Sequence, residues 1–453
     1  MEASDGLPLP QRAWAMLAIG LAITMSVLDS AIANVALPTI ASDLHATPAD
    51  SVWVVNAYQL VITILLLPLA SLGEIIGYRR IYRTGLAIFT AASLGCALSH
   101  SLLGLSLARL VQGVGAAGVL SVNAALVRFI YPRRLLGRGI GIIAFVVAVS
   151  AAAGPTVAAG ILAVASWPWL FAVNVPFGVA TLIAARSLPR MPRSPRRFDV
   201  LSALLNALFF GLLVVAVDGL GHGERTLYVG LAFAVAALSG VALVVRQLPQ
   251  AAPLLPVDLL RIPMFALSIA TSVCSFASQM LAYVSIPFYF QDVLGRDAVA
   301  TGLLITPWPV AAAVMAPIAG RLADRYPAGI LGALGLGLFA AGLGLLAWLP
   351  VSPGDANIAW RMALCGAGFG LFQSPNNRAI ITAAPLARSG GAGGMLGTAR
   401  LVGQTVGAAL VPLMFSAFGA RATIWALGIG AGIALLAAAV SSTRLIETGG
   451  ATG

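Results

Sequence analysis

Three ionisable side chains fall inside long apolar runs: Asp29, Arg109 and Arg400. Asp29 sits in SVLDSAIANVALPTI, residues 26 to 40, and no other charged residue occurs between Arg12 and Asp43. A charge in a hydrocarbon-like run is costly, and such residues mark pathways for protons, ions or substrates. Asp29 lies eight residues from the C-terminal end of its run and Arg109 seven from the N-terminal end of its own. At 1.5 Å per residue these are depths of about 12 and 10 Å, which in antiparallel helices are level. A guanidinium alongside favours the ionised form of Asp29 and burial the neutral form, so conformation or substrate can retune the balance. This is what proton coupling requires; the alternative is a permanent pair that only holds two helices together. Arg400 lies eight residues into its run, about 12 Å deep. It either attracts anionic groups or snorkels along its stem to the nearer face.

The rest of the chain offers little other chemistry. There is no Lys, which excludes a Schiff-base or Walker lysine, and His45, His100 and His222 fall in loops. Cys96, Cys274 and Cys365 are isolated in apolar runs with no paired spacing, so they read as small buried residues rather than metal or disulfide ligands. Neither a metal nor a cofactor is expected; the driving force would be a proton gradient.

What must position these residues is a set of membrane helices. The chain has 453 residues, 60% hydrophobic and 9% charged, against about 25% charged for a soluble domain. The net charge of +11 therefore reflects membrane topology and does not point to nucleic acid. The AIA at residues 31 to 33 has the form of a signal-peptidase site, but Asp29 interrupts the preceding apolar run, so the first segment reads as a retained helix.

Runs long enough to span a bilayer are expected at 12-37, 50-72, 80-99, 102-127, 138-163, 168-187, 199-218, 226-246, 264-290, 299-321, 328-348, 358-379, 392-417 and 420-442, fourteen in all. With both termini cytoplasmic, 20 loop arginines fall inside against four outside, namely Arg225, Arg296, Arg361 and Arg421, which satisfies the positive-inside rule. ASLGEIIGYRR, residues 70 to 80, and GRLADRYP, residues 320 to 327, mark matching points of a repeat. The halves are then residues 1-190 and 263-453, with a linker and two inserted spans over 191-262. Repeated halves with a site near the midplane between them are the signature of secondary transporters.

The chain resembles the major facilitator superfamily, specifically its fourteen-span drug:proton antiporter branch. LDSAIANVALPTI at 28 to 40 is similar to the branch's first-helix motif, and LARLVQGVGAAG at 107 to 118 to its fourth-helix motif with Arg109, Gln112 and Gly113. AAAGPTVAAG at 151 to 160 resembles the fifth-helix antiporter motif, with Gly154 and Pro155, and WPWLFAVNVPFG at 167 to 178 the opening of the sixth helix. The first loop motif departs from the family: Ala70, Glu74 and Ile75 replace its Gly, Asp and first Arg, while Gly77, Arg79 and Arg80 remain. The second copy keeps Gly320, Asp324 and Arg325, so the cytoplasmic latch that the resemblance implies is expected to be asymmetric.

The resemblance implies an all-α major facilitator fold that exports small amphipathic or hydrophobic compounds by alternating access; a monomer is expected, and the Ala, Gly and Arg bias points to the bacterial inner membrane. Asp29 would exchange protons, with Arg109 tuning it. Asn56, Gln59 and Thr63 share a face of the second span, and Ser272, Ser275, Gln279 and Tyr283 approximate one of the ninth. Such faces line a cavity or bond neighbouring helices. Arg400 joins the cavity set. QSPNNR, residues 373 to 378, is either a gate segment or a helix end. Two alternatives stay open: a transporter of an organic anion, since one acid stands against two arginines, and a polytopic membrane enzyme, for which no nucleophile-base constellation is found.

Overall fold

The computed structural model describes residues 6–132, 135–189, 191, 198–221, 224–250, 253, 255–385 and 388–449. Arg133, Arg134, Arg190, Arg193, Arg196, Arg197 and His222, read above as loop residues, lie outside this set.

The described chain is helical. In order, the helices are α1 Leu9–Asp43, α2 Pro48–Ser51, α3 Trp53–Ile76, α4 Tyr78–Ala97, α5 Leu102–Ile130, α6 Leu136–Leu162, α7 Pro168–Ala172, α8 Asn174–Ala184, α9 Val200–Gly221 and α10 Thr226–Gln247. After these come α11 Pro263–Phe288, α12 Ala298–Ile305, α13 Pro307–Leu322, α14 Ala328–Ala347, α15 Asp355–Ala383, α16 Ser389–Phe418 and α17 Ala422–Gly449. Local chemistry sets several boundaries. Ser101 caps α5 by accepting from the Gly104 N–H, and Asp297 caps α12 by accepting from Ala300 N–H. Gly77, at φ 106°, turns the chain between α3 and α4, a conformation in which a Cβ is strained.

Among the described residues, eleven segments are long and apolar enough to cross a membrane, and one of these, Gly391–Arg444, runs through both α16 and α17. The 20-residue α4 and 29-residue α15 fall outside that set. Arg79, Arg80 and Arg83 lie in the first two turns of α4, and α15 carries Asp355, Arg361 and Arg378.

By its contacts the chain divides into two compact units, one of Met1–Ala46 with Trp53–Ala207, the other of Thr47–Val52 with Leu208–Gly453. In the first, α5 packs on α3 and α4, α1 on α6 and α8, and α8 on α4. In the second, α15 packs on α13 and α14, α11 on α16 and α17, and α17 on α14. The order of pairing is the same in both. Small residues allow the close approaches: a Cβ on Gly154 of α6 would fall 2.4 Å from that of Ala31 in α1, and one on Gly113 of α5 would fall 2.8 Å from the Tyr58 carbonyl oxygen of α3. Pro155 follows Gly154 without ending α6.

Pro68 inside α3 has a clear structural consequence. Without an N–H it leaves the carbonyl of Ile64, four residues earlier, short of its helical donor. The side-chain amide of Asn206, near the start of α9, donates to that oxygen at 2.8 Å and is itself 2% exposed. One buried polar group therefore repairs the defect made by another residue. Asn206→Leu is expected to destabilise the protein by about 1 kcal/mol, and Pro68→Ala, which restores the helical donor, to remove most of that cost. A double-mutant cycle on thermal unfolding in detergent checks this; an equal loss from Asn206→Leu whether or not Pro68→Ala is also present would contradict it.

Candidate functional site

The first unit encloses a polar cluster built from six helices. α1 supplies Asp29, α5 supplies Arg109 and Gln112, α4 supplies Ser93 and Cys96, α3 supplies Tyr58 and the Val54 carbonyl, α7 supplies Phe171 and α8 supplies Asn174. Arg109 and Gln112 stand three residues apart and so share a face of α5. Asp29 is 1% exposed, Arg109 and Gln112 0%, and Asn174 5%.

Each carboxylate oxygen of Asp29 has a defined partner. Oδ2 pairs with Arg109 Nη1. Oδ1 accepts from Gln112 Nε2 at 2.8 Å and from Asn174 Nδ2 at 2.9 Å. Arg109 also donates from Nε to the Val54 carbonyl at 2.9 Å and from Nη1 to Gln112 Oε1 at 2.6 Å. Gln112 Nε2 further donates to Ser93 Oγ at 2.9 Å, and the Cys96 thiol lies 3.6 Å from Gln112 Oε1. The guanidinium carbon sits 4.1 Å from the Tyr58 ring centroid and 5.6 Å from that of Phe171, within cation–π range. A carboxylate that accepts three donors is arranged as an anion accepts.

The structure thus brings together Asp29 and Arg109, as their depths suggested, and adds Gln112, Asn174 and Ser93, which spacing alone did not single out as ligands. The signal for Gln112 was its offset of three from Arg109. For Asn174 and Ser93 the only signal was a polar residue in an apolar run.

On α3, Asn56, Gln59 and Thr63 are all buried, at 2, 4 and 3% exposed. Thr63 donates to the Gln59 carbonyl at 2.9 Å. Neither side-chain atom of Asn56 has a hydrogen-bond partner, a state that costs free energy unless a water or ligand relieves it. On α11, Ser275 donates to the Ser272 carbonyl at 2.9 Å, and Gln279 and Tyr283 are half-buried. Tyr283 meets Trp308 edge-on at 4.8 Å, and the buried Trp308 Nε1 is also without a partner. Arg400 is half-buried, with its guanidinium carbon 5.6 Å from the Phe276 centroid, and enters no ion pair among the described residues.

Two expectations are corrected. QSPNNR is not a helix end: α15 continues to Ala383, and Asn376 is fully buried. Its Nδ2 donates to Ser272 Oγ at 2.7 Å and to the Ser268 carbonyl at 3.2 Å. Arg444, read as a topological arginine, is 1% exposed. It donates to Asn376 Oδ1 at 2.8 Å and to Thr271 Oγ1. The long arginine stem lets the head reach into the helix junction from the end of α17. At the loop motifs, Asp324 pairs with Arg378, not Arg325, and Glu74 and Arg80 are exposed, while Arg79 Nη2 donates to the Arg186 carbonyl at 2.8 Å.

Two similarly paired helical units, with an ion pair sealed inside one of them, define a multi-pass membrane protein that carries charge-bearing machinery in its interior. The chain matches the Major Facilitator Superfamily over residues 19–405, and again over 267–446. It is 60% identical to the uncharacterized transporter YebQ of Escherichia coli strain K12, over 98% of both chains. It is 29% identical to the riboflavin transporter RibZ of Clostridioides difficile, covering 90% of this chain and 89% of that one. It is 31% identical to the multidrug resistance protein Stp of Mycobacterium tuberculosis, covering 89% and 76%. The chain belongs to the major facilitator superfamily and is a membrane transporter of the major facilitator fold.

Gln112 touches four polar groups and Asn174 one, so their removal has unequal effects. Gln112→Leu is expected to cost about 2 kcal/mol and Asn174→Leu about half that. Thermal midpoints of the purified variants check the order; equal midpoints would show that Gln112 does not organise the cluster.

Proposed function

We propose that this chain is a proton-coupled exporter of small amphipathic or hydrophobic compounds, working by alternating access in the bacterial inner membrane. In this reading the chain crosses fourteen times with both termini cytoplasmic: six-helix halves at 1-190 and 263-453 flank two inserted spans, α9 and α10. Exposed apolar side chains along those two helices, among them Leu204, Val215, Leu231, Leu238 and Val245, support a peripheral, lipid-facing place for them. The matching order of helix pairing supports the repeat. A multidrug resistance protein among the relatives supports the substrate class.

The observation that carries the proposal is the buried carboxylate of Asp29 with three donors on it. A proton on the carboxyl removes the negative charge around which Arg109, Gln112 and Asn174 are arranged, so the charge-assisted contact to Arg109 weakens most. Protonation then loosens α1 from α5 or α8, which couples proton uptake to movement of those helices. Arg109 sets the proton affinity. Asn56, Gln59, Thr63, Ser275, Gln279 and Tyr283 contact the substrate, with the unsatisfied amide of Asn56 as the strongest point of support. Gly77, Arg79, Arg80, Glu74, Gly154, Pro155, Asp324 and Arg325 belong to the moving junctions.

Asp29→Asn keeps the size and most hydrogen bonds but cannot release a proton. It is expected to fold and bind substrate, to abolish accumulation driven by an imposed pH gradient in inverted vesicles, and to make substrate binding less dependent on pH. Retained gradient-driven accumulation in Asp29→Asn would remove Asp29 as the sole coupling site.

A second reading, transport of an organic anion, is favoured by Arg400, which enters no ion pair among the described residues. If anions are carried, Arg400→Ala is expected to lower anion flux at least about tenfold, the scale of one lost charge-assisted contact, and to spare a cation of similar size. Equal losses for both would make its role structural.

A further inference from the structure

The first unit holds a second charged feature, at the junction of α3 and α4 and apart from the buried ion pair. A cavity of about 700 Å³ lies against α4 and the end of α8, lined by Arg79, Arg80, Arg83, Thr84 and Ala87, with Leu182 and Met191 on the other wall. Among the described residues, three guanidinium groups line it and no carboxylate does. Arg79 ties the two walls together by donating to the Arg186 carbonyl at 2.8 Å. Arg80 and Arg83 are exposed, and among the described residues neither enters an ion pair.

The surrounding surface is graded. Arg80, Arg83, Thr84, Ala87, Ala91, Leu94 and Leu98 are all exposed and recur at helical spacing, so they form one strip along α4. Its charged end passes into an apolar one within two turns. From Arg80 to Leu94 the strip is about 21 Å long, enough to follow one leaflet of a bilayer core, about 15 Å. The arginines also crowd the first turns of α4, where no acidic residue stands; cations at the positive end of a helix dipole repel it, and an anion there relieves the repulsion.

We infer that this cavity binds the phosphate headgroup of an anionic phospholipid, its acyl chain lying along the Ala87–Leu98 strip. A free phosphate would satisfy the arginines equally well; the apolar continuation of the strip is what selects a lipid. Basic pockets between helices at a membrane face recognise such headgroups.

The test is native mass spectrometry of the full chain purified in detergent, with phosphatidylglycerol and phosphatidylcholine offered separately, and inorganic phosphate in a parallel thermal-unfolding arm. Wild type is expected to retain phosphatidylglycerol in preference to phosphatidylcholine. R80Q/R83Q is expected to lose that preference by about tenfold or more, whereas R421Q, an exposed arginine of the other unit, is expected to keep it. Because Arg80 and Arg83 are exposed, the double variant should fold, which its unchanged thermal midpoint without lipid would confirm. Equal retention of the two lipids by wild type, or an undiminished preference in R80Q/R83Q, would overturn the site. Stabilisation by inorganic phosphate alone matching that by phosphatidylglycerol would overturn the lipid assignment.

Discussion

The first unit is organised around one constraint: a carboxylate and a guanidinium, both out of water, must be kept satisfied. Desolvating two charges costs several kcal/mol each, and their attraction offsets this only when the remaining donors and acceptors are also paired. Here Gln112 and Asn174 complete the shell of Asp29, and the Val54 carbonyl and the Tyr58 face complete much of that of Arg109. Those partners come from α3, α5 and α8, so the ion pair, with Asp29 on α1, ties four helices together. The same dependence makes the pair a lever, since any change in its charge must be answered by the helices that hold it.

The second unit solves a related problem differently. Its pairing places α11, α15 and α17 as the first places α1, α5 and α8, and this junction too contains a guanidinium, that of Arg444. It is met by the amide oxygen of Asn376 and the hydroxyl of Thr271. Asp29 is the only buried carboxylate among the described residues. If the two units are moving halves, titratable control resides in the first, and the second supplies the serines of α11, the Tyr283–Trp308 edge contact and the cation of Arg400 near Phe276.

Much of this was legible in the sequence. Helix positions followed from apolar run length, and the meeting of Asp29 with Arg109 from counting residues to the run ends, because helical rise is fixed. The rotation of each helix about its axis was not legible. Gln112 and Asn174 converge on one carboxylate, and Ser93 on Gln112, only because α4, α5 and α8 present particular faces to one another and to α1, and that depends on small residues such as Gly113 and Gly154, whose contacts lie on other helices. Arg444 was misread for a related reason. Its position at the end of an apolar run is where topological arginines stand, and only the packing of α17 against α11 and α15 shows its head turned inward. QSPNNR stayed open between a gate segment and a helix end because the partners of Asn376, Ser268, Ser272 and Arg444, are distant in sequence.

The proposed coupling rests on a single proton-exchanging group, Asp29, whose charge is linked to substrate. That link can be read without vesicles or gradients by adding a transported compound to purified protein in weakly buffered detergent and counting the protons released or taken up. Wild type should exchange protons on substrate addition, and Asp29→Asn should bind the compound with no exchange. Proton exchange of equal size in the Asn variant would contradict the assignment of coupling to Asp29.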